Sequence, residues 1–148
     1  MKGKTYRTRI APTVSGLLHI GHARTFLAAC DRAREFGGKV VLRIDDIDSQ
    51  RCSRAYEDAA IEDIRSAGVH WDEGPDVGGN YGPYFQSKRA DIYREYLEIL
   101  RKKGRAYDKD GAVFFKVSGE AQVLHDAVYG DVERTEEKDF PIFRSNGT

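Results

Sequence analysis

Two histidines three residues apart, His19 and His22, lie in the run Gly16-Leu17-Leu18-His19-Ile20-Gly21-His22. At the start of a helix this spacing puts both rings on neighbouring positions of one face, beside unpaired backbone N–H groups and the positive end of the helix dipole. Such a setting suits a phosphate. Imidazole N–H donors would stabilise charge developing on it during displacement, without either ring acting as a nucleophile. Gly21 removes a Cβ and lets a flat base or a ribose approach the backbone. The alternatives are a zinc pair, or ordinary surface or core histidines. A second cluster, Arg43-Ile44-Asp45-Asp46-Ile47-Asp48, offers three carboxylates as charge-assisted acceptors for a cation, a ribose hydroxyl or a substrate ammonium. Its alternative is a solvated acidic turn paired with Arg43 and Arg51.

These residues need elements to hold them. Thr8-Arg9-Ile10-Ala11-Pro12 reads as a short strand ending in a turn, and residues 13–18, with Ser15 and Gly16, read as a loop. Ala23, Phe26, Leu27 and Cys30 then fall at i, i+3, i+4 and i+7, the apolar face of a helix, which Gly37-Gly38 stops. Lys39-Val40-Val41-Leu42-Arg43-Ile44 reads as a buried strand, its short β-branched run being what a parallel sheet covered on both faces demands. Strand, helix and strand make a βαβ unit, and in such a sheet ligands bind at the carboxyl ends of the strands. Both clusters sit there.

A second helix carries Tyr56, Ala60, Ile64 and Ala67, with Ser53 as its cap and Gly68 as its stop. Residues 68–86 read as a loop too long and too rich in turn residues to be a plain connection. A third helix presents Ile92, Tyr93, Tyr96, Leu97 and Leu100 and ends at Gly104. Beyond it, residues 112–117, 128–132 and 140–144 are strand candidates. The reading is therefore α/β: residues 1–104 as an α/β segment and 105–148 as a β-rich one, with no repeat, low-complexity tract or flexible linker.

Length and composition narrow the class. At 148 residues with 11% aromatic side chains, the chain supports a modest packed core. No apolar run approaches the roughly 20 residues of a membrane helix, and Met1-Lys2-Gly3-Lys4 does not lead into a secretory signal. Two cysteines, Cys30 and Cys52, are too few for a disulfide scaffold, which fits a reducing cytoplasm. Lys and Arg balance Asp and Glu at 24 each, arguing against a uniformly basic coat for nucleic acid. The balance is uneven along the chain: residues 1–54 hold eleven basic against five acidic groups, so an anionic ligand favours the first third.

The run Arg9-Ile10-Ala11-Pro12-Thr13-Val14-Ser15-Gly16, followed by His19-Ile20-Gly21-His22, resembles the opening of class I aminoacyl-tRNA synthetases of the glutamyl/glutaminyl subgroup, whose pattern is Arg-Phe-Ala-Pro-Ser-Pro-Thr-Gly and then His-Ile-Gly-His. Residues 43–48 resemble that subgroup's Arg-Ile-Glu-Asp-Thr-Asp. Gly82-Pro83-Tyr84-Phe85-Gln86-Ser87 resembles its Gly-Pro-Tyr-Arg-Gln-Ser. The tail, residues 126–130 and 140–147, is similar to the stretch before the chain re-enters the nucleotide fold. Departures are Thr13 and Val14 for Ser and Pro, Phe85 for Arg, and Asp45 for the bacterial glutamyl Glu, a choice closer to the glutaminyl and archaeal branch.

The resemblance implies the first half of a Rossmann-like parallel sheet followed by the start of an inserted acceptor-end-binding segment. It implies ATP-dependent activation of glutamate and ligation to tRNA. His19 and His22 would contact ATP phosphates, with Gly16 and Gly21 beside the nucleotide. Arg9 would pair a glutamate carboxylate and Asp45 would hold the α-ammonium, while Ala11, Thr13 and Ser15 would line the pocket. Magnesium would arrive with ATP, on phosphate and water oxygens. Some relatives carry a Cys-rich zinc site after the third helix; Ala106-Tyr107-Asp108-Lys109-Asp110 has no Cys, so no zinc is expected. The Lys-Met-Ser-Lys-Ser loop of such enzymes does not occur in the 148 residues, and a missing C-terminal half or complementary chain is the implied partner. Three rivals stand beside this reading: a cytidylyl-type nucleotidyltransferase, a non-catalytic truncated or split-gene fragment, and a glutamyltransferase acting on a tRNA base.

Overall fold

A computed structural model describes residues 6–126, 128–135 and 138–143. The chain divides into two compact units, Met1–Ala90 and Asp91–Thr148. The expected N-terminal reading of residues 1–4, the strand end at Arg144 and the tail to residue 147 lie outside the described residues.

In the first unit β1 (Arg7–Ile10) leads through a loop into α1 (Ile20–Glu35), then β2 (Lys39–Leu42) and α2 (Arg54–Ser66). β1 and β2 pair in parallel, Arg7 against Lys39 through Ile10 against Leu42. The pairing outlasts both strands: Asp45 N–H donates to the Pro12 carbonyl at 3.0 Å and Thr13 bridges Asp45 in the same register. Pro12 lacks an N–H but keeps its acceptor, so it interrupts the ladder without ending it.

α1 buries Phe26, Cys30 and Ala33 on the face its spacing predicts, and α2 buries Glu57, Ala60 and Ile64. The predicted Ser53 cap forms, its Oγ accepting from Tyr56 N–H at 3.3 Å. One core results, built from Ile10 and Val14 of the first strand and its loop, Val40, Leu42 and Ile44 of the second, the buried apolar faces of both helices, and Val69. Ile10, Leu42 and Ile44 are at most 1% exposed.

Residues 68–86 are more than a loop. Leu42 N–H donates to Glu73 O at 2.8 Å, Ile44 N–H to Tyr84 O at 2.8 Å, and Gln86 N–H to Ile44 O at 3.0 Å. Two short pieces of this stretch therefore extend the sheet on the side of β2 away from β1. Glu73 is buried, where an unpaired carboxylate is costly. It ion-pairs with Arg7 and accepts the Tyr84 hydroxyl at 3.0 Å. Gly79 closes over this network with φ +135°, and a Cβ there would stand 2.3 Å from the Tyr84 hydroxyl oxygen.

The second unit opens with α3 (Ala90–Lys102), preceded by one 3-10 turn, Gln86–Arg89. None of its side chains is fully buried; Tyr93, Tyr96, Leu97 and Leu100 instead line an apolar groove with Ile142 and Phe143. The compact units meet between residues 90 and 91, while the sequence reading divides an α/β segment from a β-rich one at residue 104. β3 (Ala106–Lys109), β4 (Ala112–Phe115) and β7 (Phe140–Phe143) form an antiparallel sheet in the order β3-β4-β7, and β5 (Gln122–Asp126) with β6 (Gly130–Arg134) forms a hairpin. The expected strand over residues 128–132 is corrected: residues 128 and 129 belong to the turn, held by Asp126 Oδ1, which accepts their N–H groups at 2.8 and 2.9 Å. β3 and β5 were not anticipated, although Asp110-Gly111 at left-handed φ between β3 and β4 is a strong hairpin signal.

Candidate active site

α1 begins where β1 and its loop end, and its first turn is capped by the two histidines themselves. His19 Nδ1 accepts the Gly21 N–H at 3.1 Å, and His22 Nδ1 accepts the His19 N–H at 3.1 Å. Each ring thus satisfies a backbone donor that a helix start leaves without a partner. Their centroids lie 4.0 Å apart. An Nδ1 that accepts leaves Nε2 to carry the proton, so both rings present N–H donors on the edge away from the backbone. Gly21 has a role beyond the expected one: a Cβ there would stand 2.9 Å from His19 Cε1, so any side chain would displace the capping ring. Gly16 has open space around it.

The acidic cluster is positioned by the β2 extension. Arg43 N–H donates to Ile10 O and Asp45 N–H to Pro12 O, each at 3.0 Å, so residues 43 and 45 leave the ladder on the same side. Their side chains form a fork, Arg43 Nε to Asp45 Oδ1 at 2.7 Å and Nη2 to Oδ2 at 3.0 Å. Asp46 holds Ser87 instead, accepting its N–H at 2.8 Å and its hydroxyl at 2.5 Å. Asp48 accepts from Arg51 at 2.7 Å, and this bond, opposed by desolvation, keeps its carboxyl below the usual range. Burial pushes the Cys52 thiol up, helped by the charges of Asp48 and Asp46.

The structure therefore brings the sequence-predicted residues together in two groups. His19, Gly21 and His22 form the helix-start group. Thr13 and Asp45 face each other across the extended ladder, with Arg9 and Ala11 preceding Thr13 on the same strand path and Ser15 half-buried after it. Arg9 is exposed and has no ion-pair partner among the described residues. A groove of about 260 Å³ adjoins His19, lined also by Leu18, Ile20, Phe26, Asp63 and Val69. A larger hollow, about 490 Å³, lies in the second unit around Arg105, Arg134, Phe115 and Phe140, and none of the predicted site residues lines it. The pairing of the acidic turn with Arg43 and Arg51, the alternative reading of residues 43–48, is what the structure shows at Asp45 and Asp48; the clamp between Asp46 and Ser87 was missed.

The arrangement sets a pair of capped histidines at a helix start and a paired Arg–Asp cluster at the end of an extended parallel ladder. Comparison with known proteins is specific: the family described as tRNA synthetases class I (E and Q), catalytic domain, matches residues 5–113, and the chain belongs to it. It is 49% identical over 106 residues to glutamate–tRNA ligase 2 of Fervidobacterium nodosum, covering 72% of this chain and 23% of that protein. It is 52% identical over 99 residues to the glutamyl-Q tRNA(Asp) synthetase of Symbiobacterium thermophilum, covering 67% and 31%. A crystal structure of a glutamate tRNA ligase from Elizabethkingia meningosepticum superposes with TM-score 0.86 at 26% identity, over 97% of this chain and 39% of that one. The fold is thus the Rossmann-like fold of class I synthetases, and the chain spans about a quarter of the length of the curated relatives it matches.

Proposed function

We propose that these residues are the first part of a catalytic domain that activates glutamate with ATP and passes it to tRNA in the cytoplasm. The observation that carries this is the mutually capped histidine pair at the start of α1, in which each Nδ1 accepts a backbone N–H and leaves Nε2–H as the donor for a phosphate. A glutamate α-carboxylate oxygen attacks the α-phosphorus of ATP, the bond to the bridging oxygen breaks, and pyrophosphate leaves with glutamyl-adenylate formed. A ribose hydroxyl of tRNA then attacks the activated carbonyl and releases AMP. His19 and His22 stabilise phosphate charge, Gly16 and Gly21 adjoin the nucleotide, Arg9 pairs a substrate carboxylate and Asp45 holds the ammonium. Ala11, Thr13 and Ser15 line the amino-acid pocket.

Among the described residues no group of three or more His, Cys, Asp or Glu converges as a metal site. Magnesium in this reading comes with ATP on phosphate and water oxygens, and no step is assigned to a protein-held metal. Zinc has no place in the reading, since residues 106–110 carry no cysteine. No helix among the described residues is long and apolar enough to cross a membrane.

The partner in turnover is the remainder of the catalytic domain or a complementary chain. Residues 1–148 alone are expected to bind ATP weakly, in preference to CTP, and to give no pyrophosphate exchange, because only one side of the pyrophosphate is met; an absent electrostatic partner costs about a hundredfold or more in rate. In a complete enzyme, Asp45→Ala should weaken glutamate binding by about 2 kcal/mol and leave ATP binding nearly intact. Equal loss of both, measured by titration calorimetry, rejects the assignment of Asp45. A second reading, glutamate transfer to a base within tRNA, is favoured by the 52% identity to the glutamyl-Q tRNA(Asp) synthetase. Labelled-glutamate transfer by the reconstituted domain separates the two by the position of the label, at the tRNA terminus or on an internal nucleoside.

A further inference from the structure

The fork between Arg43 and Asp45 bears on which amino acid the proposed pocket takes, and the inference rests on the glutamate reading. Both side chains are about four-fifths buried, at 21% and 23% exposure, and both backbones are pinned to the β1 path. The guanidinium uses one lone pair on each Asp45 oxygen, leaving one on each for further N–H donors. Asp45 therefore stays able to accept an ammonium while its charge is cancelled by Arg43. The neighbouring carboxylates are engaged elsewhere, Asp46 by Ser87 and Asp48 by Arg51. Arg9, with no ion-pair partner among the described residues, leaves the proposed pocket with one surplus positive charge.

We propose that Arg43 is a specificity-determining residue: it aims Asp45 and cancels its charge, so that the pocket prefers an anionic amino acid over its neutral amide. Glutamate carries two carboxylates and one ammonium and is complementary to a pocket of net charge +1. Glutamine, net zero, lacks that complement. Without Arg43 the Asp45 charge would stand bare, still attracting the shared ammonium but repelling the extra carboxylate of glutamate. Lysine in its place keeps the charge and loses the fork, since a single ammonium cannot pair bidentately.

The experiment is calorimetric titration of glutamate and of glutamine into the 148-residue chain and its Arg43→Gln, Arg43→Met and Arg43→Lys variants, with helix content checked by circular dichroism. Arg43→Gln and Arg43→Met should lose about tenfold in glutamate affinity and much less for glutamine, collapsing the preference. Arg43→Lys should weaken both ligands by a similar, smaller factor and keep the preference. A merely structural role would weaken both ligands equally in all three variants. That result, or an unchanged glutamate-to-glutamine ratio in the charge-removing variants, overturns the proposal while leaving the glutamate reading standing. A wild-type chain that binds both amino acids equally also overturns it, and one that binds neither removes the glutamate reading and this inference together.

Discussion

Exchanging His19 for alanine and, separately, for serine should divide two jobs that one ring performs. His19 Nδ1 accepts the Gly21 N–H at 3.1 Å, which is an N-cap bond, while the opposite edge of the ring carries the donor assigned to phosphate. Alanine removes both. Losing a cap of this kind costs about 1 kcal/mol of stability, and losing a hydrogen bond to a charged group costs about 2 kcal/mol of binding, or roughly thirtyfold in affinity. Serine caps well but cannot reach the phosphate, so His19→Ser should keep stability within about 0.5 kcal/mol of the parent and still lose the same share of ATP affinity. Urea unfolding followed by circular dichroism gives the first quantity and calorimetric titration of ATP gives the second. Retention of parent ATP affinity by His19→Ser would refute the phosphate role. An alanine variant as stable as the parent would refute the capping role, and with it the argument that the backbone selects the tautomer.

The Asp46 clamp is testable by stability alone. Asp46→Ala removes acceptors at 2.8 and 2.5 Å from the Ser87 N–H and hydroxyl, and should cost about 1–2 kcal/mol in urea unfolding; a change under about 0.3 kcal/mol would mean that the contact does not fasten residue 87 in solution. In the second unit, the N–H of Val117 and, after it, the Tyr107 hydroxyl hold the Asp139 carboxyl below its ordinary value. A depressed folded-state value means stability that is present above the unfolded value and lost as pH falls through the folded one. Asp139→Asn should therefore flatten the acid limb of the melting temperature against pH, and a limb identical to the parent's would count against that assignment.

Much of the first unit was legible because its signals are local. Phe26, Cys30 and Ala33 in α1, the Ser53 cap of α2, and the continuous apolar run of β2 depend on spacings of a few residues, which helix and strand periods convert directly into faces. The placement of the histidine and carboxylate motifs at strand ends followed from that order of elements. What lay beyond reach depended on partners far along the chain. Glu73 reads as a surface carboxylate until Arg7, 66 residues earlier, and Tyr84 surround it. Asp46 reads as one of three equivalent acids until Ser87, 41 residues later, takes both its oxygens. Asp45 reads either as an open acceptor or as a partner of Arg43, and only the ladder to Pro12, which sets both side chains on one side, decides for the fork. The short strands β3 and β5 have too few alternating apolar positions to announce themselves, since most of their side chains remain exposed and their existence depends on the strand opposite. Sequence by itself determined the residue types, the periodic faces and the caps, because these are near-neighbour effects. Tertiary structure alone decided which charges cancel, which loop segments join the sheet and where the units divide, because those outcomes depend on burial and on hydrogen-bond partners that only long-range pairing supplies.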